Sequence, residues 1–243
     1  MNLAIVGYGK MGRLIAELAP DYGAAVSLTL DEFNNADFSG ITAENFRGVD
    51  VALEFSIPSA VAANVERIAA LGVNMVVGAT GWGDRMDQVK AAVERHGIAL
   101  VWSPNFSIGV NVFSRLVAEA ARLLASERDY GAWAWEIHHS TKKDAPSGTL
   151  LKLVAEMKKA GYTWPIDTAS NRAGRHPGTH EIGFDSAADT ITLRHTARSR
   201  EGFARGALRA TQWIAGKKGM HEFSEVLFGT EGGAVLTPLS GKG

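Results

Sequence analysis

A short apolar run, Leu3–Val6, leads directly into Gly7-Tyr-Gly-Lys-Met-Gly12, which opens an amphipathic stretch from Met11 to Ala19. This junction limits the chain to very few folds. The spacing is G-x-G-x-x-G, and each glycine has its own physical task. The first permits a tight turn, the second lets backbone approach a pyrophosphate, and the third lets the helix pack closely on the strand. The helix N-terminus then faces the anion with free amide groups. Gly7, Tyr8, Gly9, Lys10, Met11 and Gly12 therefore read as a dinucleotide cradle. Glycine turns follow many strands, so the loop gains its weight from context. The strand precedes it, the helix follows it, and an acidic residue stands at the expected distance beyond it.

That acidic residue is Asp31 or Glu32, at the end of a second apolar run, Val26–Leu30. A carboxylate there accepts hydrogen bonds from ribose hydroxyls and repels a 2′-phosphate. The residues after it are Phe33, Asn34 and Asn35, with no arginine, and Lys10 is the nearby cation that could offset a phosphate. The expectation is NADH or NADPH as cofactor, with NADH favoured. The alternative is that Asp31 and Glu32 only solvate a strand end. Further short runs rich in branched residues occur at Val49–Phe55, Asn74–Val77 and Ala99–Trp102, separated by helical patterns at Ala60–Ala70 and Met86–Arg95. Strand–helix–strand alternation implies a parallel sheet covered on both faces, a Rossmann-like, doubly wound α/β fold. Gly78, Ala79 and Thr80, and Ser103, Pro104, Asn105 and Phe106, follow the fourth and fifth strands. Carboxyl ends of strands line the ligand crevice in such a sheet, so these residues join the candidate cofactor set.

The pattern changes after Pro104. Val110–Ser126 is helical, Ala132–His138 alternates like a strand, Thr149–Lys159 is helical, and His180–Phe184 and Thr190–His195 are strand candidates. Phe203–Ile214 is a further helix. The expected division is a dinucleotide-binding domain at 1–105 and a second α+β domain at 106–214, for substrate binding and oligomerisation, with 215–243 returning to the first. The glycine-rich tail 229–243 is expected to be loose. The chain has 243 residues, 46% of them hydrophobic and 21% charged, with a formal net charge of −1. That balance excludes disorder and gives no basic excess for nucleic acid. The absence of cysteine excludes disulfides, thiolate nucleophiles and Cys-ligated metals. No apolar stretch is long enough to span a bilayer and none resembles a signal peptide, so a soluble, cytoplasmic protein is expected.

Chemistry concentrates in Glu136-Ile-His-His-Ser-Thr-Lys-Lys-Asp-Ala-Pro-Ser-Gly-Thr149. His138 and His139 are adjacent, so on a strand they point to opposite faces and do not share a metal. No metal site is expected. Either imidazole has the right range to donate or relay a proton near neutrality. Lys142 and Lys143 could be a solvated pair, or one could neutralise a carboxylate or donate a proton, and Asp144 could orient it. Ser147, Gly148 and Thr149 stand where a helix begins. Their hydroxyls and free amides suit a carboxylate or phosphate, and a plain N-cap is compatible with that role.

These residues resemble one family, the 4-hydroxy-tetrahydrodipicolinate reductases, also called dihydrodipicolinate reductases. The matching pieces are Gly7–Arg13, Gly78–Gly81, Pro104–Gly109, Glu136–His139 and Lys142–Thr149, followed by Arg172–Gly174, Pro177–His180 and Ser199–Gly206. The resemblance covers nearly the whole chain in order, and the His-His…Lys-x-Asp-Ala-Pro-Ser-Gly-Thr block is its most specific part. It implies reduction of a cyclic imine dicarboxylate by NADH or NADPH with loss of water, on the diaminopimelate route to lysine, by a homotetramer. It implies that His138 and Lys142 donate protons, and that His139, Ser147, Gly148 and Thr149 bind the substrate carboxylates. Ala79 stands where the family usually has a second threonine, the glycine loop is one residue shorter than in many members, and no arginine follows Asp31. Two other readings are another two-domain nicotinamide dehydrogenase and a nucleotide-sensing regulator without chemistry. The missing cysteine removes the nucleophile of a phosphorylating semialdehyde dehydrogenase.

Overall fold

Strand β1 (Asn2–Val6) is buried from Leu3 to Val6, as a strand covered on both faces must be. It stands between β2 (Ala25–Leu30) and β3 (Val51–Glu54), and β4 (Asn74–Val77) and β5 (Ala99–Trp102) continue the sheet beyond β3. All these pairs are parallel. The computed structural model describes residues 1–229. A strand near the end of that span, Gly219–Glu222 (β10 in chain order), pairs in parallel with β5 and completes the order β2-β1-β3-β4-β5-β10. Strand order reverses about β1, where the ligand crevice of a doubly wound sheet lies.

Helix α1 (Lys10–Leu18) covers one face, where a Cβ at Gly12 would come within 3.0 Å of Ile5 Cγ2. Helices α2 (Val61–Ala70) and α3 (Met86–His96) close the other over Ala4, Ala52, Met75, Val77 and Leu100. The chain divides into two units, Met1–Ser107 with the chain from Phe203 onward, and Ile108–Gly202.

The second unit is built on a four-stranded mixed sheet, in order β7 (Ile166–Arg172), β6 (Gly131–His138), β8 (Thr179–Asp185), β9 (Thr190–Thr196). β6 and β7 are parallel and the other pairs antiparallel. Helices α4 (Ile108–Leu123) and α5 (Gly148–Lys159) pack on one face through Phe113, Val117, Leu150, Leu153 and Met157 against Ala132, Ala134, Ile182 and Phe184. Alternation along β6 sends Ala132, Ala134, Glu136 and His138 inward and leaves Trp133, Trp135 and Ile137 half-buried on the opposite face.

Three expectations change. The helix read at Phe203–Ile214, observed as α6 (Glu201–Trp213), groups with the first unit rather than the second from Phe203 onward. Its small residues explain this: Ala204, Ala207, Leu208 and Ala210 are buried, and Gly206 lies against the Phe106 backbone and the Phe223 ring. Strand β7 was not foreseen because Ile166-Asp-Thr-Ala-Ser-Asn-Arg172 is largely polar and exposed, as an edge strand can be. Strand β10 and helix α7 (Phe223–Phe228) were not foreseen either, being short. The expectation for the tail lies, beyond Gly229, outside the described residues. Among the described residues no helix is long and apolar enough to cross a membrane.

Candidate active site

In the first unit a cleft of about 710 Å³ opens at the carboxyl ends of β1, β2 and β3. Gly7, Tyr8, Gly9 and Asp31 line it, together with Arg13, Glu32 and Phe33. The three loop glycines behave differently. Gly7 has φ +94°, and a Cβ there would lie 2.5 Å from the Phe55 carbonyl carbon. A Cβ on Gly12 would lie 2.5 Å from the Gly7 carbonyl oxygen, so the third glycine lets α1 sit down on the turn. Around Gly9 there is nothing within 4 Å. Gly9 also caps α1 without any side-chain hydrogen bond, so the first amides of the helix face an open space. These residues fit a dinucleotide pyrophosphate.

Asp31 Oδ1 accepts the amides of Phe33 (2.9 Å) and Asn34 (3.3 Å), so one oxygen shapes the turn that carries Glu32 and Phe33. Carboxylates Asp31, Glu32 and Asp37 line the cleft against a single cation, Arg13. Lys10, the cation considered for a 2′-phosphate, is exposed on α1 and is not part of the lining. Gly78–Thr80 and Ser103–Phe106 do not line it either. They stand behind one of its walls: the Phe55 ring packs on Gly78 and lies 6.2 Å from Phe106, while Ser103 Oγ donates to the Asn105 carbonyl (2.8 Å). Sequence reasoning missed the polar group at the end of β3. Glu54 is fully buried, accepts the amide of Asn64 (3.1 Å) and is bonded to Ser56; Ser56 and Asn64 both line the cleft. Burial pushes the Glu54 carboxyl up, with those hydrogen bonds opposing. An acidic residue closing an otherwise apolar strand, Val-Ala-Leu-Glu54, was the available signal.

In the second unit β6 delivers Glu136 and His138 to the same buried side. His139 follows the strand end, half-buried, with Nδ1 2.8 Å from Thr141 Oγ1. The chain then turns, the Lys142 amide donating to the His139 carbonyl (3.1 Å). Lys142 Nζ donates to Asp144 Oδ1 (2.7 Å), and Asp144 Oδ2 accepts the Gly148 amide (3.3 Å). Lys143 is exposed. Ser147 is the N-cap of α5, its Oγ accepting from the Leu150 amide (3.2 Å). Thr149 is half-buried in the first turn of that helix.

Glu136 joins these parts. Its Oε1 accepts the Ser147 amide (2.8 Å), Ser170 Oγ (3.0 Å) and Arg172 Nη2 (2.8 Å). Its Oε2 lies 3.1 Å from His138 Nδ1 and 3.4 Å from His180 Nε2. Burial works to raise the Glu136 carboxyl, but the hydrogen bonds from Ser147, Arg172 and Ser170 outweigh it and hold the pKa at about 2. Burial also pushes His138 down, and it takes His180 to about 4. Glu136, His138 and His180 place ligand atoms within 4.8 Å of one another, an arrangement a cation could use. The carboxylate is already engaged by the Arg172 guanidinium, and Lys142 adds positive charge nearby. With Glu136 already neutralised by Arg172, the cluster offers hydrogen-bond donors rather than a free carboxylate, which suits an anionic ligand better. Arg172, Ser170 and His180 were not picked as site residues. They enter through sheet register, Ser170 and His180 flanking Glu136 across β7 and β8 and Arg172 standing beside His138.

The family model described as "Dihydrodipicolinate reductase, N-terminus" matches residues 1–106, and its partner for the C-terminus matches residues 109–227. A 4-hydroxy-tetrahydrodipicolinate reductase of Christiangramia forsetii is 33% identical over 93% of this chain and 98% of its own length. One from Methanosarcina mazei is 31% identical, covering 93% and 99%. Among solved structures, dipicolinate-bound dihydrodipicolinate reductase from Paenisporosarcina sp. TG-14 superposes with a TM-score of 0.78, at 21% identity over 91% of this chain and 97% of that one. An amine dehydrogenase from Mycobacterium smegmatis shares the fold at a TM-score of 0.62 and 10% identity, over 92% and 95% of the two chains. With both halves matched in order and the glycine cradle and His-His…Lys block in place, the chain belongs to the dihydrodipicolinate reductase family.

Proposed function

We propose that this protein reduces 4-hydroxy-tetrahydrodipicolinate to tetrahydrodipicolinate with NADH as the preferred donor, using His138 and Lys142 as proton donors. The reaction adds a hydride and a proton to the cyclic dicarboxylate and releases water. The observation that carries this reading is the joining of His138 to Glu136, Arg172, Ser147 and the Lys142–Thr149 loop, a buried imidazole beside two cations and the start of a helix. When bound, the nicotinamide supplies the hydride. The first unit's part is to hold it: Gly7, Gly9 and the free amides of α1 take the pyrophosphate, and the carboxylates at Asp31 and Glu32 take ribose hydroxyls. Met11 and Gly12 support that turn, and Gly78–Thr80 with Ser103–Phe106 back the cleft wall.

His139, Ser147, Gly148 and Thr149 are assigned to the substrate carboxylates. The hydroxyls and the amides that open α5 are suited to anions, and Lys142 adds charge. A dianion beside His138 favours its protonated ring, offsetting the burial that lowers its pKa in the free protein. Hydride arrival makes the ring electron-rich, and the proton from His138 or Lys142 completes the addition. Three carboxylates against one arginine in the cleft disfavour a 2′-phosphate, which supports NADH. Assembly as a homotetramer through the face of the second sheet that bears Trp133 and Trp135, and a cytoplasmic location, complete the proposal.

A steady-state assay with freshly generated substrate, run with each cofactor and with pyridine-2,6-dicarboxylate as inhibitor, tests this. Turnover with inhibition by the pyridine dicarboxylate is expected, with kcat/KM higher for NADH. A tenfold advantage for NADPH overturns the cofactor preference. Quenching of NADH fluorescence without turnover would instead favour a nucleotide-sensing regulator.

A further inference from the structure

Glu136 divides its two oxygens unequally. Oε1 takes donors from a helix start, a serine and an arginine, at 2.8, 3.0 and 2.8 Å. Among the described residues Oε2 meets imidazole nitrogens, His138 Nδ1 at 3.1 Å and His180 Nε2 at 3.4 Å. Both atoms are buried, and among the described residues neither makes an aligned hydrogen bond, so the 3.1 Å approach is the contact each has to settle. Two buried polar atoms facing each other are costly unless one brings a proton. The carboxylate cannot be the one, because Arg172 and the Ser147 amide hold it ionised. The proton therefore belongs on Nδ1. His180 has another partner for its Nε2, Ser147 Oγ at 3.2 Å.

The opposite edge of the His138 ring faces Gly178. Gly178 has φ +136°, and a Cβ built on it would stand 2.9 Å from His138 Nε2. No side chain at 178 crowds that nitrogen. We infer that Glu136 is a positioning residue, holding the His138 ring with Nδ1 protonated and turned to the carboxylate so that Nε2 alone exchanges the proton with substrate. The inference rests on the reading of His138 as a proton donor. It extends that reading to Arg172, 36 positions from Glu136 in sequence, which keeps Glu136 charged and so keeps it an acceptor.

The charged and titratable groups around the ring are Glu136 on its own strand, Lys142 and Asp144 from the following loop, Arg172 on β7 and His180 on β8, its ring 5.0 Å away. Glu136 and Asp144 favour the protonated ring, whereas burial, Lys142 and Arg172 oppose it. Replacing Glu136 by Gln removes an influence that raises the His138 pKa. The protonated donor then persists only to lower pH, and the alkaline limb of kcat/KM moves to lower pH.

The experiment is long-range 1H–15N NMR on the full-length protein labelled at histidine, above the titration of the ring, with His138 assigned from a His138→Gln variant. The wild type is expected to show His138 as the Nδ1–H tautomer. An Nε2–H ring in the wild type, which needs no variant to fold, overturns the proposal. Glu136→Gln should convert the ring to Nε2–H, lower kcat roughly a hundredfold, leave KM within about threefold and shift the alkaline limb down. Glu136→Asp should recover part of the rate. Glu136→Gln with unchanged kcat and pH profile also overturns the proposal while leaving His138 as donor. Wild-type kcat in His138→Gln sinks the proton-donor reading instead, so the two failures are separable.

Discussion

Gly7 and Gly9 sit two residues apart in one loop and meet opposite surroundings. A methyl at Gly7 runs into the Phe55 backbone and requires a left-handed φ, whereas a methyl at Gly9 meets nothing within 4 Å. Gly7→Ala should therefore destabilise the protein by about 1–3 kcal/mol and also lose cofactor. Gly9→Ala should keep the wild-type Tm yet weaken NADH binding about tenfold, because the methyl occupies space the pyrophosphate needs. Thermal unfolding and fluorescence titration of both variants check this, and wild-type affinity in Gly9→Ala would remove the cradle from the proposal. In the second unit, Lys142→Ala should lower kcat roughly a hundredfold in steady-state assays. Wild-type kcat would end its role as proton donor. Lys143, exposed and one position on, should tolerate the same change.

At the scale of elements, α5 and α6 show how short-range signals acquire a place. Ser147 reads as an N-cap, and it is one, accepting from the Leu150 amide. The same residue gives its own amide to Glu136 and brings its hydroxyl to His180. Ser147→Ala should cost about 1 kcal/mol from the cap in denaturant unfolding. It should also raise KM for substrate, and an unchanged KM would leave Ser147 a cap and nothing more. Helix α6 was legible as a helix, but its partner was not. Gly206 is the deciding residue, since any side chain there collides with the Phe106 carbonyl. Gly206→Ala should destabilise by about 1–3 kcal/mol through overpacking, measured as a lower denaturation midpoint.

At the scale of the whole molecule, the Glu136 network makes stability depend on pH. His180 titrates near 4 in the folded protein against an ordinary value of 6.5, so the unfolded chain binds its proton first. Stability is full above about pH 6.5 and falls as the pH drops towards 4, by on the order of 3 kcal/mol from this group. Glu136, held at about 2, adds a second loss below its ordinary value of 4.5 as the pH falls towards 2. Urea unfolding at a series of pH values should show the first decline, and His180→Gln should reduce it, with His138 and His195, which burial also pushes down, keeping the remainder. An unchanged slope in His180→Gln would place its origin elsewhere. The open face of the second sheet, with Trp133 stacked over Gly183 and Trp135 within reach of Arg194, predicts a tetramer by light scattering. A monomer at micromolar concentration would refute that assembly.

The sequence by itself determined whatever is encoded over one or two turns of chain: the strand, glycine turn and helix at residues 2–18, the alternation of β6, and the cap at Ser147. It also displayed His138, Lys142 and the anion-suited Ser147–Thr149, because those groups are neighbours in the chain. It did not display Ser170, Arg172 or His180 as members of the same cluster. They reach Glu136 only through sheet register, Ser170 from β7 and His180 from β8, with Arg172 one rung along beside His138. A slip of one residue would turn each of them to the other face. Tertiary structure alone decided that register, the unit to which α6 belongs and the burial of Glu54 and Glu136. Each depends on what packs from a distant part of the chain, and local propensity carries no record of that.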